Sequence, residues 1–302
     1  MNCPRKSVLL VAVAVLVIGC SQEQVVAMSD GSAPDQELEV TYVANEGFLV
    51  QLGDQRVLVD SLFSDGVIGY ETVPAATREA LENGTSRQGG VQVALASHFH
   101  GDHFDGTSVG RFLKANPHAV FVSTPQAAES FRNANPDSAD LGRRFHAVLP
   151  DPGTVESLEF DGVRIEVLNL HHGRRDPPVQ NLGFIVTLGG KRFIHFGDTE
   201  AKMEDFEPYL ELLTEPDLAV LPFWFLSSEW RADLVRRLIR PQSIAVGHLP
   251  RQDAPPGHFA RWRSYAALRS TIEEAFPRAW IPSQPGETGP NGPPDLAPPG
   301  VN

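Results

Sequence analysis

One stretch of ten residues, SHFHGDHFDG, contains five side chains that can bind a metal ion: His98, His100, Asp102, His103 and Asp105. His98 and His100 are two positions apart, so in an extended segment they point to the same side. The tight turn at Gly101 lets Asp102 and His103 reach the opposite side. Imidazole and carboxylate groups are zinc ligands, so one loop can serve two metal ions about 4 Å apart. Asp105 fits better in the first turn of a following helix, where a negative charge is favourable.

Residues with the same ligand chemistry follow three other apolar runs. His171 and His172 come after VRIEVLNL, Asp198 after KRFIHFG and His248 after SIAVG. Strand ends within one sheet share an edge, so we expect these side chains to converge there. Alternation along a strand sends His171 and His172 to opposite faces. We favour His172, because the His–Gly step can leave the strand and turn toward the site; His171 stays the alternative.

The elements that must position these residues are short apolar strands alternating with amphipathic helices. LEVTYVA, GFLVQLG and RVLVDS predict an antiparallel meander, and the Gly189-Gly190 pair predicts a hairpin. Helices are predicted for DGTSVGRFLKANP, MEDFEPYLELL and FARWRSYAALRSTIEEAF, with AWIP as a last short strand. Each half begins with antiparallel strands and ends with helix–strand units, which indicates two packed sheets with helices outside.

The two ends of the chain differ in composition from the body. Arg5 and Lys6 precede the apolar run Val8–Ile18, which is too short to span a membrane. The run ends in VIGC, which resembles a bacterial lipobox and implies lipidation of Cys20; a plain secretory signal cut elsewhere is the alternative. We expect a lipoprotein signal peptide at 1–19, a flexible tether at 20–36, the folded domain at 37–281, and a disordered Pro/Gly-rich tail at 282–302.

Charge and cysteine content narrow the function further. The 302-residue chain has a net charge of −13, which disfavours binding to a phosphate backbone, so no nucleic-acid partner is expected. Only Cys3 and Cys20 are present, so a metal in the body must be held by His and carboxylate. Ser21 after Cys20 resembles sorting to the outer membrane. We therefore expect an exported, membrane-anchored lipoprotein at the outer membrane, facing the periplasm.

The motif SHFHGDH, with a downstream His, the GD of FGDTE and the GH of VGHLP, resembles the metallo-β-lactamase superfamily of metal-dependent hydrolases. The similarity extends from YVANEGFLV to VGHLP and is strongest with the lactonase and phosphodiesterase-like branch. It implies an α/β fold, an αββα sandwich of two mixed sheets with helices on the outer faces. It also implies His98, His100 and His172 at one metal and Asp102, His103 and His248 at the second, with Asp198 bridging both.

The resemblance implies two divalent metal ions, zinc before manganese or iron, and a small-molecule substrate. A water bridging the metals would lose a proton near neutral pH, because its pKa falls from 15.7 to about 7. The resulting hydroxide would cleave an ester, lactone or phosphodiester, with Asp102 as the catalytic residue that orients it. Two alternatives stay open: a single-iron dioxygenase on the same fold, and a non-catalytic envelope lipoprotein with structural metals.

For several further residues, the sequence supports two alternative interpretations. Asp60 either holds a ligand imidazole or is a simple turn residue, and His195 is a packing residue or supports the ligands. The segment FWFLSSEW, Phe223 to Trp230, forms either an apolar wall for substrate or part of the core. Arg174 and Arg175 either bind an anion or lie in a solvated loop. Three other histidines are expected to be surface or structural residues: His118, His146 and His258.

Overall fold

The computed structural model describes residues 36–85, 90–173, 178–200, 202–259 and 261–289. The predicted signal peptide with Cys20, nearly all of the tether, Arg174, Arg175 and residues 290–302 lie outside the described residues. Among the described residues, no helix has both the length and the apolar composition needed to cross a bilayer.

The first sheet contains six strands in chain order, antiparallel from the first to the third and parallel from the third to the sixth. The strands are β1 (Glu39–Ala44), β2 (Gly47–Leu52), β3 (Gln55–Val59), β4 (Val93–Leu95), β5 (Val120–Ser123) and β6 (Phe145–Ala147). The antiparallel meander predicted for the first three apolar runs is therefore confirmed.

The second sheet also has six strands, and its order is β12-β11-β10-β9-β8-β7. They are β7 (Val155–Phe160), β8 (Val163–Asn169), β9 (Leu182–Leu188), β10 (Lys191–His195), β11 (Leu218–Pro222) and β12 (Ser243–Gly247). Strands β7 to β10 are antiparallel, and β10 to β12 are parallel. The predicted hairpin joins β9 to β10 through Gly189 and Gly190, both with positive φ, as a two-residue turn of this kind requires.

Strand alternation divides the apolar residues among three layers. In β4, Val93 and Leu95 face the second sheet, in one core with Ile165 and Phe184. Ala94 between them faces outward, in the core beneath the helices of the first sheet. A third core lies between the outer face of the second sheet and the later helices. The molecule is thus an αββα sandwich, and the predicted α/β fold class is confirmed.

Eight α-helices are described. They are α1 (Ala75–Glu82), α2 (Gly106–Ala115), α3 (Pro125–Ala134), α4 (Ala139–Gly142), α5 (Met203–Phe206), α6 (Leu210–Leu213), α7 (Glu229–Asp233) and α8 (Tyr265–Ala275). Helix α7 continues as a π-helical stretch, Leu234–Ile239, and 3₁₀ turns occur at Glu207–Tyr209, Phe223–Phe225 and Pro256–Phe259. Asp105 caps α2 by accepting a 2.8 Å hydrogen bond from the Thr107 amide, which agrees with its exclusion from the ligand set.

Two predicted helices are shorter than expected, each for a local reason. Pro208 falls within MEDFEPYLELL, and its missing amide donor breaks the segment into α5, a 3₁₀ turn and α6. The last helix begins only at Tyr265, after Arg263 in the left-handed region and a Ser264 cap. Phe259 and residues 261–264 are therefore outside the helix.

Residues 286–289, which the sequence assigned to the tail beyond residue 281, pair with the first sheet. The Tyr42 amide donates to the Glu287 carbonyl at 2.8 Å, and Gly286 and Gly289 donate back to β1. Just before this segment, Trp280 forms a parallel bridge to Ala245 of β12. The end of the described chain thus covers edge strands of both sheets, satisfying backbone groups that would otherwise be unpaired.

Candidate metal centre

Four strands of the two sheets end at one place, and the predicted ligands lie in the loops that leave them. The loop after β4 carries four of the residues, and the loops after β8, β10 and β12 carry one each. The structure brings together all seven predicted ligands: His98, His100, Asp102, His103, His172, Asp198 and His248. Their proximity follows from the rule that the ends of neighbouring strands share one edge of a sheet.

Three histidines, here called the imidazole trio, form the first ligand group: His98, His100 and His172. His98 Nε2 lies 2.9 Å from His100 Nδ1 and 3.2 Å from His172 Nε2. Two nitrogens bound to one tetrahedral zinc ion lie about 3.4 Å apart, close to these separations. His172 is buried, whereas His171 is exposed and its Nδ1 accepts a hydrogen bond from the Gly173 amide. The geometry therefore favours His172 over His171.

The second ligand group, here called the mixed trio, consists of Asp102, His103 and His248. Asp102 Oδ2 lies 3.6 Å from His248 Nε2 and 3.7 Å from His103 Nε2. All three residues are buried. A Cβ on Gly101 would meet nothing within 4 Å and its φ is not positive, so the turn between the two groups does not depend on a glycine at this position.

Asp198 contacts both trios. Its Oδ2 lies 3.7 Å from His172 Nε2 in the imidazole trio and 3.2 Å from His248 Nε2 in the mixed trio. Its Oδ1 lies 3.4 Å from His103 Nε2. A carboxylate with its two oxygens directed at two ligand groups has the arrangement expected of a bridging ligand.

The site has the orphaned polar atoms that a metal ion would satisfy. His103 Nε2, His248 Nε2 and Asp198 Oδ1 are buried and have no hydrogen-bond partner among the described residues. Buried polar atoms are nearly always satisfied in folded proteins, so these three atoms indicate a bound group. Five imidazoles and two carboxylates, without a thiolate, suit zinc, manganese or iron. The residues fit two divalent ions.

Residues that contact the ligands of the mixed trio, rather than the metal position, fix the orientation of these ligands. Asp60 is fully buried, and its Oδ2 lies 2.8 Å from His103 Nδ1. The same carboxylate accepts hydrogen bonds from the Ser97 amide and hydroxyl, both at 2.7 Å. Of the two readings of Asp60, the structure selects the one that orients a ligand imidazole. His195 contacts the same carboxylate, with its Nε2 3.5 Å from Asp60 Oδ2.

Asn45, in the β1–β2 turn, is a supporting residue that sequence reasoning missed. Its Nδ2 donates to both the carbonyl and the Oδ2 of Asp102 at 3.2 Å, and its own carbonyl accepts from the His248 amide at 2.9 Å. Asn45, Asp60 and His248 all have positive φ near 50°, a conformation that is uncommon for non-glycine residues. The only sequence sign was an Asn-Glu pair that is typical of a turn.

Burial and the neighbouring charges shift the pKa values of this cluster in opposite directions. Burial lowers the pKa of His98 well below its usual value, which keeps that imidazole neutral. Burial also opposes charge on His103, but Asp198 and Asp60 outweigh it and hold the pKa of His103 well above its usual value. Burial raises the pKa of Asp198, yet His248 and His103 outweigh it and the pKa lies well below normal. The mixed trio and Asp198 therefore form an environment that favours a positive charge.

Glu46 is a second residue that the sequence did not single out. It is fully buried beside His103, with neither carboxyl oxygen hydrogen-bonded to a described residue. Burial, and then the charge of Asp198, raise its pKa well above the usual range. The carboxyl group is thus favoured in its protonated form beneath the site.

Of the two interpretations of the segment after β11, an apolar wall or core packing, core packing holds for two residues. Phe223 and Phe225 are buried in the core beneath the later helices. Trp224 instead places its ring 5.1 Å from the His248 ring, and its Nε1 donates to the Thr199 carbonyl at 3.0 Å. Trp230 is half-exposed on α7. One tryptophan of the segment therefore borders the centre.

The remaining histidines lie away from the ligand groups, as expected. His118 is exposed, and the His146 ring packs 4.7 Å from Phe160. His258 has a structural contact, with its Nε2 2.8 Å from the Ile68 carbonyl.

Comparison with known proteins agrees with this geometry. The family described as "Beta-lactamase superfamily domain" matches residues 55–273 of the chain. The chain belongs to the β-lactamase superfamily. A UPF0173 metal-dependent hydrolase of Korarchaeum cryptofilum is 30% identical over 216 residues, covering 70% of this chain and 82% of that protein. A similarly named protein of Pelotomaculum thermopropionicum is 24% identical, covering 83% of this chain and 99% of its own length.

Solved structures support the fold. A possible metal-dependent hydrolase from Veillonella parvula superposes with a TM-score of 0.59 at 16% identity, covering 83% of this chain and 98% of that one. The predicted membership in a superfamily of metal-dependent hydrolases is therefore confirmed at the level of the family. The nature of the substrate is a separate question.

Proposed function

We propose that the protein is a dinuclear metal-dependent hydrolase of an ester, lactone or phosphodiester. The observation that carries the proposal is the position of Asp198, whose carboxylate contacts His172 of one trio and His103 and His248 of the other. Each trio supplies three ligand atoms within reach of one another. A pair of ions held this way would activate a water molecule as a hydroxide nucleophile near neutral pH and polarise the bond to be cleaved.

The chain's own residues hold and orient the reactants. Asp60 holds the His103 ring through Nδ1, which leaves Nε2 directed at the site. Asn45 fixes one carboxylate oxygen of Asp102, so that the rest of this carboxylate can orient the attacking water. Trp224 and the second aromatic neighbour of His248, Tyr70, exclude solvent from that side. No separate nucleophilic side chain is needed.

The test combines metal content with a substrate panel. We expect about two zinc or manganese ions per chain and hydrolysis of at least one aryl ester, lactone or bis(nitrophenyl) phosphate. Asp102→Asn should remove the hydrolysis, and Asp105→Asn, which changes a helix cap in the same loop, should retain it.

The same measurement decides between the alternatives. One iron per chain with oxygen consumption would replace the proposal with a dioxygenase. A wild-type level of function in vivo for both His98→Ala and Asp102→Asn would leave only a structural role for the metals.

We also propose that the chain is an exported lipoprotein, anchored through Cys20 at the outer membrane and facing the periplasm. Arg5, Lys6, the apolar run and VIGC support this proposal. Labelled palmitate should be incorporated into the wild type but not into Cys20→Ser, and the wild type should fractionate with the outer membrane. Recovery of an unlabelled wild-type protein in the soluble periplasm would contradict the proposal.

A further inference from the structure

A segment here called the strap, residues 64–71, connects the two loops that carry most of the ligands. Near its start, the Gly66 amide donates to the Gly101 carbonyl at 3.3 Å, within the loop of the imidazole trio and Asp102. Near its end, Tyr70 forms an antiparallel bridge with Pro250, two residues after His248. The strap therefore extends along the metal centre from one ligand loop to the other.

The tip of the strap presents two apolar side chains to solvent. Ile68 is 82% exposed and Val67 is 46% exposed. Glycines with positive φ flank them: a Cβ on Gly66 would lie 2.7 Å from a side-chain carbon, and one on Gly69 would lie 2.5 Å from His258 Nε2. The same His258 nitrogen lies 2.8 Å from the Ile68 carbonyl. The exposed pair is held in a defined turn that other residues could not form without strain.

Aromatic rings lie beside both ligand groups. Phe99 is 36% exposed, and its ring centre lies 5.1 Å from that of His100 in the imidazole trio. The Tyr70 and Trp224 rings lie 4.5 and 5.1 Å from the ring of His248 in the mixed trio. Tyr70 belongs to the strap, so the strap that carries the exposed pair also contacts the mixed trio.

Exposed aliphatic side chains beside a metal centre are favourably covered by a hydrocarbon group, because burial removes apolar surface from water. We propose that Val67, Ile68 and Phe99 hold a hydrocarbon arm of the substrate while its cleavable group reaches the metal ligands. The substrate class is then an ester or lactone that carries an acyl or alkyl chain of several carbons. The inference rests on the proposed function for the position of the cleavable group.

The contribution of the hydrocarbon arm to binding can be measured without turnover by using hydroxamates, which bind metal centres through their polar end. The full chain, loaded with zinc, is titrated with acetohydroxamate and octanohydroxamate. We expect octanohydroxamate to bind about tenfold more tightly or better, since each buried methylene adds to affinity. Equal affinities would overturn the proposal.

A matched pair of substitutions locates the arm. Val67→Ser and Val155→Ser make the same change at half-exposed positions, one on the strap and one on strand β7. The affinity ratio of the two hydroxamates should fall several-fold in Val67→Ser and in Ile68→Ser, and stay at the wild-type value in Val155→Ser. An unchanged ratio in both strap variants would overturn the assignment.

Two further readouts separate the alternatives. Nitrophenyl octanoate should be cleaved with a higher kcat/KM than nitrophenyl acetate, and the strap variants should reduce that preference. If neither ester is cleaved while the hydroxamate ratio holds, the arm site stands and the proposed ester or lactone hydrolysis fails. If brominated vesicle lipids quench an Ile68→Trp variant beyond the wild type, the tip contacts the membrane and the proposal is overturned.

Discussion

The imidazole trio and the mixed trio contain three ligands each, but their surroundings differ. In the mixed trio, Asp60 and Asn45 fix His103 and Asp102 through hydrogen bonds. In the imidazole trio, the nitrogens of the three rings face one another at 2.9 and 3.2 Å, and His100 is partly exposed. The mixed trio is thus held by a carboxylate and an amide, whereas in the imidazole trio the His98 Nδ1 lies 2.9 Å from the uncharged hydroxyl of Ser97. A preorganised group binds its ion at a lower cost.

The largest effect on metal content and activity is expected from a substitution of Asp198, which contacts both trios. Asp198→Ala removes a carboxylate that contacts both groups, so both ions should be lost and kcat/KM should fall by about a thousandfold or more. Elemental analysis and the ester assay measure this. Asp105→Ala is the control, because it removes a helix cap and the hydrogen bond from the Ser64 hydroxyl but no predicted ligand; the lost cap costs about 1 kcal/mol of stability, and both ions should stay. Retention of two ions by Asp198→Ala would contradict the bridging role.

Removing one imidazole should affect one trio. His172→Ala should lose about one ion per chain, since His172 faces His98 Nε2. His171→Ala changes the adjacent, exposed residue and should keep wild-type metal content. The reverse pattern would assign His171 as the ligand and would make the orientation seen here wrong.

A smaller effect is expected from a substitution of Asp60, which supports the mixed trio. Asp60→Asn should weaken metal binding by about ten- to a hundredfold, as loss of an outer hydrogen-bond partner commonly does. Competition with a chromophoric chelator measures the affinity. Asp54→Asn, in the β2–β3 turn, is the matched control and should have no effect. If Asp60→Asn instead lowered the affinity for the ion at the imidazole trio, the proposed difference between the two groups would be contradicted.

The smallest effect is expected from Asn45→Ala. It removes the hydrogen bonds to Asp102 but leaves every ligand in place, so the affinity of the mixed trio should fall by about tenfold or less. Chelator competition measures this affinity in a protein that also carries His172→Ala, so that only the ion of the mixed trio is titrated. An affinity unchanged from that of His172→Ala alone would show that Asn45 does not position Asp102.

The proximity of the seven candidate ligands could be predicted from the sequence because they follow apolar strands whose ends share an edge, and loop spacing alone predicted that His98, His100 and His103 lie together. It could not locate Asn45 or Glu46, because both lie in a turn between β1 and β2 that reads as an ordinary connection. Their importance arises from the packing of that turn against Asp102 and His248, which no local pattern records. The pairing of residues 286–289 with β1 was missed for the same reason: the Pro and Gly content indicated disorder, whereas the pairing depends on backbone hydrogen bonds to an edge strand that is distant in the sequence.

We propose that the two-metal centre holds one ion strongly, at the mixed trio, and one weakly, at the imidazole trio. Elemental analysis of the full chain during stepwise removal of metal by a chelator tests this difference. We predict about two divalent ions per chain at the start, loss of the first at a lower chelator concentration than the second, and retention of the second in His172→Ala. A single ion per chain from the outset, or loss of both ions together in the wild type, would contradict the account.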